Sequence, residues 1–116
     1  MMISISERLK NPDNACILIV NSHRKIVGFT PNLLSLWNLP EVIIKSLSDQ
    51  LALEFVSDQF DNPQLFLKDM NEIYEQRHLE INEKVQLQDG RIIQRHSKPL
   101  CFNGVYAGRL WMFERN

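Results

Sequence analysis

Apolar and polar positions follow two different periods along this chain, and the change from one to the other marks its elements. Residues 1–14 are largely polar, with Ile3, Ile5 and Leu9 as isolated apolar positions and one short helical stretch, "ISERL", stopped at Asn11-Pro12. The run "ACILIV" that follows is apolar and β-branched without interruption, which predicts a strand buried on both faces. "NSHRK" supplies a turn and "IVGF" a second short strand, so the two form a hairpin. Then the period lengthens. Thr30-Pro31 reads as a helix start, the threonine hydroxyl accepting from an unpaired backbone N–H and the proline suiting the first helical position. "PNLLSLWNL" puts Leu33, Leu36 and Trp37 on one stripe bordered by Leu34, and Pro40 ends it and opens a short helix through "EVIIKSL". Ser48 is a further start signal, after which Ala52, Phe55, Val56 and Phe60 recur at helical spacing. The longest helical segment is "DNPQLFLKDMNEIYEQ", capped by Asn62 with Pro63 first and carrying the stripe Phe66, Met70, Ile73 and Tyr74.

After Gln76 the period drops to two. "HLEINEKVQLQ" alternates Leu79, Ile81, Val85 and Leu87, with His78 at the start of the strand. Asp89-Gly90 and Asn103-Gly104 are hairpin turns joining strands over residues 91–99 and 107–113. Strands at both ends with three or four helices between them predict an α+β fold built on one antiparallel sheet. A strict two-residue turn at Asn103-Gly104 would set Lys98 opposite Arg109, two like charges. A bulge that shifts the pairing by one residue would instead set Arg95 opposite Trp111 and Ser97 opposite Arg109.

Composition narrows the function classes. A chain of 116 residues is one domain in size, and 44% hydrophobic with 23% charged residues is ordinary for a globular protein. The net charge of −1 gives no electrostatic footprint for nucleic acid or an anionic membrane. The longest apolar run, residues 15–20, is too short to span a bilayer, and the first residues lack a signal-peptide layout, so a cytoplasmic location is expected. Cys16 and Cys101 both fall in apolar runs and read as reduced core thiols. Two cysteines and the scattered His23, His78 and His96 offer no metal-ligand spacing, and no catalytic motif stands out. Glu80 and Glu83 lack the enclosing apolar frame that a general acid–base pair needs. His96, alternating with Ile92, Gln94 and Lys98, falls on a mixed and exposed face, the one titratable position there with a pKa suited to sensing.

The segments "ILIVNSHRKIVGFTPNLLSLWNLPEVI", "ALEFVSDQFDNPQLFLKDMNEIYEQ", "LQDGRIIQRHSKP" and "GRLWMFERN" together resemble the PAS domain, in particular those of bacterial sensor histidine kinases and diguanylate cyclases. The resemblance covers residues 14–116 and leaves 1–13 as an N-terminal segment with a short cap helix. It implies a five-stranded antiparallel sheet in the order 2-1-5-4-3, with the helices inserted between strands 2 and 3 and packed on one face. It also implies a non-catalytic sensory input domain of a signal-transduction protein. Such a domain binds a small molecule or a partner and relays to an attached output domain; a ligand-free dimerisation or relay module is the alternative. The asparagine that often follows the second strand is Thr30 here. Asn116 falls near the place of the Asp-x-Thr motif through which the last strand usually continues, so the sequence is expected to stop at a domain edge. Haem-binding relatives carry a ligand histidine on the long helix, and residues 63–76 have none. Flavin-binding relatives need a reactive cysteine on a helix that has none here, and the photoactive chromophore branch is set aside on the same ground. Neither haem nor flavin is therefore expected.

The candidate pocket residues are Trp37, Phe55, Phe66, Met70, Arg95, Ser97, Arg109, Trp111 and Phe113, although the helical spacing of the first four more often marks core packing. Alternation puts Arg109 on one face with Trp111 and Phe113, rings too large to leave in water, so its guanidinium is expected between sheet and helices. A charge held there needs a partner: an indole face, a helix carboxylate (Glu54 or Asp69), or a small anionic ligand. The outer face, with Leu110 and Met112, is the expected partner of Ile3, Ile5 and Leu9, in cis or across a homodimer.

Overall fold

The structure, a computed structural model, describes residues 15–116. The N-terminal segment, with Ile3, Ile5 and Leu9, lies outside them. In chain order the described elements are β1 (Cys16–Asn21), β2 (Ile26–Phe29), α1 (Asn32–Trp37), α2 (Glu41–Lys45), α3 (Asp49–Ser57), α4 (Pro63–Glu75), β3 (Ile81–Gln86), β4 (Ile92–Phe102) and β5 (Val105–Arg115). The strands form one antiparallel sheet ordered β2-β1-β5-β4-β3, so the last strand of the chain is the middle of the sheet. Fold class and strand order are those expected.

Two helix starts follow from their caps. Ser48 Oγ accepts from Leu51 N at 3.2 Å, and Asn62 Oδ1 accepts from Leu65 N at 3.1 Å, with Pro63 in the first turn of α4. Thr30 does something else. Its hydroxyl accepts from Ile17 N at 3.0 Å and donates to Asn32 Oδ1 at 2.6 Å, so it finishes the β1–β2 edge instead of capping α1. The reason is proximity: Thr30 N already donates to Ile17 O at 3.0 Å, which brings the hydroxyl to the neighbouring strand's N–H. β1 also departs from expectation, because the helices cover one face of the sheet: Cys16, Leu18 and Val20 are buried while Ile17 and Ile19 are half-buried. The inward stripe of α4 is Phe66, Met70, Ile73 and Tyr74, as its spacing predicts.

The core is organised by rings. Phe66 stacks on Phe60 with centroids 4.0 Å apart, Phe60 faces Trp37 at 6.2 Å, and Trp37 meets Phe113 edge-on at 5.3 Å. Phe113 lies parallel to Trp111 at 6.1 Å, and Trp111 approaches Tyr74 at 6.1 Å. These rings run from the α4 N-terminus across β5 and back to the end of α4, which ties the middle strand to the helix layer.

The β4–β5 hairpin turns at Asn103 (φ 51°) and Gly104 (φ 78°), the two left-handed residues of a tight hairpin turn. Its register is bulged, but the extra residue is Ala107 on β5. Cys101 pairs with Tyr106, and the next pair is Leu100 with Gly108. Lys98 is thereby opposite Leu110 and Arg109 opposite Pro99, while Ser97 faces Trp111 and Arg95 faces Phe113, in place of the pairings expected. Gly108 explains the choice of strand. A Cβ there would sit 2.0 Å from Val20 O, and its φ of +148° disfavours other residues, so only glycine lets β5 approach β1 this closely beside the bulge. The observed register differs from the expected one by two residues, so the face of every side chain is unchanged.

Candidate functional site

Arg109 is fully buried, at 0% exposure, on the helix-facing side of β5. Its Nη1 donates to Ser97 Oγ at 2.8 Å, and the Ser97 hydroxyl in turn donates a hydrogen bond to Leu110 O at 3.0 Å. Nη2 donates to Leu79 O, a carbonyl available because β3 begins only at Ile81; His78 and Leu79 precede the strand they were expected to open. The guanidinium carbon is 5.9 Å from the Trp111 ring centroid, and Nε is buried without a partner. Burial pushes the pKa of Arg109 down, opposed by Tyr106, Tyr74 and Glu80. Among the described residues no carboxylate pairs with it. Glu54 accepts from Gln50 along the exposed side of α3, and Asp69 lies on the flank of α4, because that helix turns Met70, Ile73 and Tyr74 inward. The indole face, Ser97 and a carbonyl take the place of the expected helix carboxylate.

A second guanidinium approaches Trp111 equally closely. Arg95 Cζ is 5.9 Å from the ring, Nη1 contacts Met70 Sδ at 3.4 Å, and Nε donates to Glu83 Oε1 at 3.0 Å. Glu83 is the residue directly across on β3, so cross-strand pairing supplies this counter-charge.

Trp111 also starts a chain of polar contacts that sequence reading missed. Its Nε1 donates to Tyr74 Oη at 3.1 Å, and the Tyr74 hydroxyl and the Asp49 carboxylate lie close enough to shift each other's protonation. Asp49 Oδ2 accepts from Arg24 Nη2 at 3.4 Å, and Arg24 Nη1 donates to Asn71 Oδ1 at 3.0 Å while its Cζ stands 4.4 Å above the Tyr74 ring. Asp49 is 1% exposed, and burial pushes its carboxyl pKa up against the opposing effects of Arg24 and Tyr74. Burial, and then the Asp49 charge, push the Tyr74 hydroxyl far up. β5, α4, α3 and the β1–β2 turn are thus joined through one buried polar path.

A cleft of about 310 Å³ opens between α4 and the β3–β4 side of the sheet, lined by Phe60, Asp61, Asn62, Leu65, Phe66, Asp69, Val85, Gln86 and Arg95. Of the expected pocket residues, Phe66 and Arg95 line it. Trp37, Met70, Trp111 and Phe113 lie in the packed core, Phe55 is half-buried at its margin, and Ser97 is held on Arg109. His96 is half-buried and faces a shallow hollow shared with Glu80, Lys98 and Met112. Leu110 and Met112, expected as an exposed patch, are 5% and 1% exposed. They stand on the middle strand, with Ile19 and Ile17 beside them on β1 and Lys98 and His96 on β4. Cys16 is buried and its thiol pKa is pushed up to about 11, whereas Cys101, expected in the core, is exposed near the hairpin tip. Among the described residues no group of three or more histidine, cysteine or acidic side chains is placed to hold a metal, and no helix is long and apolar enough to cross a membrane.

No family model matches the sequence, and no curated protein matches it. Solved structures do. The sensor region of a sensor histidine kinase superposes with a TM-score of 0.65 at 11% identity over 86% of this chain, which spans 38% of that one. The PAS domain of BvgS from Bordetella pertussis gives 0.64 at 13% identity, covering 89% of this chain and 77% of the other. The N-terminal domain of a diguanylate cyclase with a PAS/PAC sensor, from Marinobacter aquaeolei, gives 0.50 at 13% identity over 85% and 91%. Such likeness is one of fold: the described residues take a PAS-like fold.

Proposed function

We propose that this PAS-like domain is a sensory input module, non-catalytic in itself, which converts binding of a small molecule or a partner into displacement of β5 and hence of an attached output domain. The similar folds occur in a histidine kinase and a diguanylate cyclase, proteins with outputs to control. The observation that carries the reading is the anchoring of β5. Its Trp111 is gripped by Arg95, Arg109 and Tyr74 together, so a change at α4 or at the β1–β2 turn reaches the middle strand through contacts already in place. The cleft beside Phe66 and Arg95 is where the pocket residues reach the surface, and a ligand there presses on α4 and on the Arg95–Glu83 pair.

The test is a screen of small organic molecules against the ¹⁵N-labelled domain. Compounds bound at Asn62, Phe66 and Val85 are expected to move the amide resonances of residues 109–115 and the Trp111 indole N–H as well. If bound compounds leave β5 untouched, the relay fails. A second reading, a ligand-free dimerisation module, is favoured by the exposed pair Phe102 and Val105 at the hairpin tip. It predicts that no compound binds the cleft and that sedimentation shows a dimer that Phe102→Ser dissociates.

A further inference from the structure

We propose that a second hollow, at the end of the sheet away from the cleft, binds the oxyanion group of a small molecule between Arg24 and Arg77. The hollow measures about 480 Å³ and is walled by Ser22 and Arg24 of the β1–β2 turn, Asn71, Tyr74 and Glu75 of α4, and Arg77 and Tyr106. Its two guanidiniums come from separate parts of the chain, and each has its Cζ over the ring of a tyrosine of the same wall. Arg24 Cζ is 4.4 Å from the Tyr74 centroid and Arg77 Cζ is 4.6 Å from that of Tyr106. Contact with the Tyr106 ring positions the Arg77 guanidinium and leaves its N–H groups to meet a carboxylate or phosphate in a bidentate fork, while Arg24, held by Asp49 and Asn71, adds a fixed charge.

Three further observations point to an anion. Arg77 makes no ion pair among the described residues, although it is the exposed member of the pair and within reach of solvent. Arg24 keeps a buried Nε without a partner, although Asp49 and Asn71 occupy its two other nitrogens. Behind the wall stands Arg109, whose charged form is supported by Tyr106 and, more weakly, by Glu80, and whose Nε is again without a partner. Of the charged side chains that line the hollow, two are guanidiniums and one, Glu75, is a carboxylate, which leaves one positive charge in excess along its wall. That excess suits a molecule with a single oxyanion group, since Glu75 on the rim repels a polyanion. Ser22 and Asn71 supply neutral hydrogen-bonding groups in its lining.

An anion here acts on the path already described. Arg24 covers the ring whose hydroxyl accepts from Trp111, so drawing Arg24 towards an anion alters the Tyr74–Trp111 hydrogen bond and reaches β5. The site is independent of the cleft and supplies the proposed sensory module with a second point of entry.

The test uses acetate, succinate and inorganic phosphate as probes in ¹H–¹⁵N spectra of the labelled protein, with chloride at equal ionic strength as control. At least one probe is expected to give saturable shifts at Ser22, Asn71 and Tyr106 and at the Trp111 indole N–H. Arg77→Gln, whose native side chain has only the Tyr106 ring as a described contact, should weaken that binding about tenfold or more while the melting temperature stays unchanged. Arg95→Gln, at the cleft, should leave it unaltered. Wild-type affinity in Arg77→Gln overturns the site, as does the absence of any saturable shift beyond that of chloride. Loss of binding in Arg95→Gln but not in Arg77→Gln also overturns it, and returns the anion to the cleft with the sensory reading intact.

Discussion

Asp49 occupies the first position of α3, where a carboxylate ordinarily gains from the helix N-terminus, yet its burial raises its pKa above the usual 3.8. An acid whose folded pKa is raised holds more protons in the native state than in the unfolded one. Its contribution to stability is therefore complete below the unfolded pKa and is lost as pH rises through the folded value. Urea titrations of wild type and Asp49→Asn should show the difference in unfolding free energy, wild type minus variant, falling with pH from about 4 upward and levelling above the folded pKa. A difference that climbs with pH would mean that the Arg24 pair outweighs burial. Asp49 and Arg24 were illegible in the sequence because a polar residue beside a turn reads as solvated, and the burial that gives them meaning comes from packing of α3 and α4. Tyr74 was legible only as part of an apolar stripe; its hydroxyl's neighbours, Trp111 and Asp49, lie on other elements. Arg109 was legible in placement, because alternation forces it onto the Trp111 face. Ser97 was expected beside it and an indole face among its partners, but Leu79 O was not, since that carbonyl reaches it only through the late start of β3.

Elements were readable wherever the signal is local. Ser48 and Asn62 cap the helices they precede, the turns fall at Asp89-Gly90 and Asn103-Gly104, and the α4 stripe is the buried one. Thr30 was misread because its hydroxyl had two orphan donors within reach, and only the pairing of β1 with β2 decides between them. The bulge shows the same limit. Like-charge repulsion required a shift somewhere, but the strand that takes the extra residue is set by close approach of β5 to β1 at Gly108. Gly108→Ala should therefore destabilise the domain by at least about 2–3 kcal/mol in chemical denaturation, from steric conflict with Val20 O together with backbone strain. Gly90→Ala makes the comparison, because Gly90 has a positive φ of 92° but open space around it. It should cost only about 1–2 kcal/mol, the left-handed penalty alone. Equal losses in the two variants would remove close packing at the bulge as the reason for glycine there.

At the scale of the whole molecule, function depends on which strand is stiff. β5 is paired along its length with β1 on one side and β4 on the other, and its inward face carries Trp111 and Phe113 into the chain of rings. β2 and β3 are the edges, short and partly wet, with Val27 and Phe29 exposed on one and Asn82, Glu83, Lys84 and Gln86 exposed on the other. A strand passes on a displacement only if it moves as a body, and a strand that opens locally dissipates what it receives. Amide hydrogen exchange measures this, since opening free energies range from near zero at frayed edges to the global value in a core strand. Amides of residues 109–114 and 17–20 that donate within the sheet should exchange at least about a hundredfold more slowly than those of β2 and β3. Tyr74→Phe refines the expectation. It strips Trp111 Nε1 of its acceptor and takes a hydroxyl from beside Asp49, which should lower global stability by about 1–3 kcal/mol. Because β5 keeps its partners on both sides, its amides should speed up together and remain the slowest of the sheet. Exchange in 109–114 as fast as in β3, or selective opening of β5 in the variant, would show that the middle strand is not a rigid body, and the relay through it would have to be abandoned.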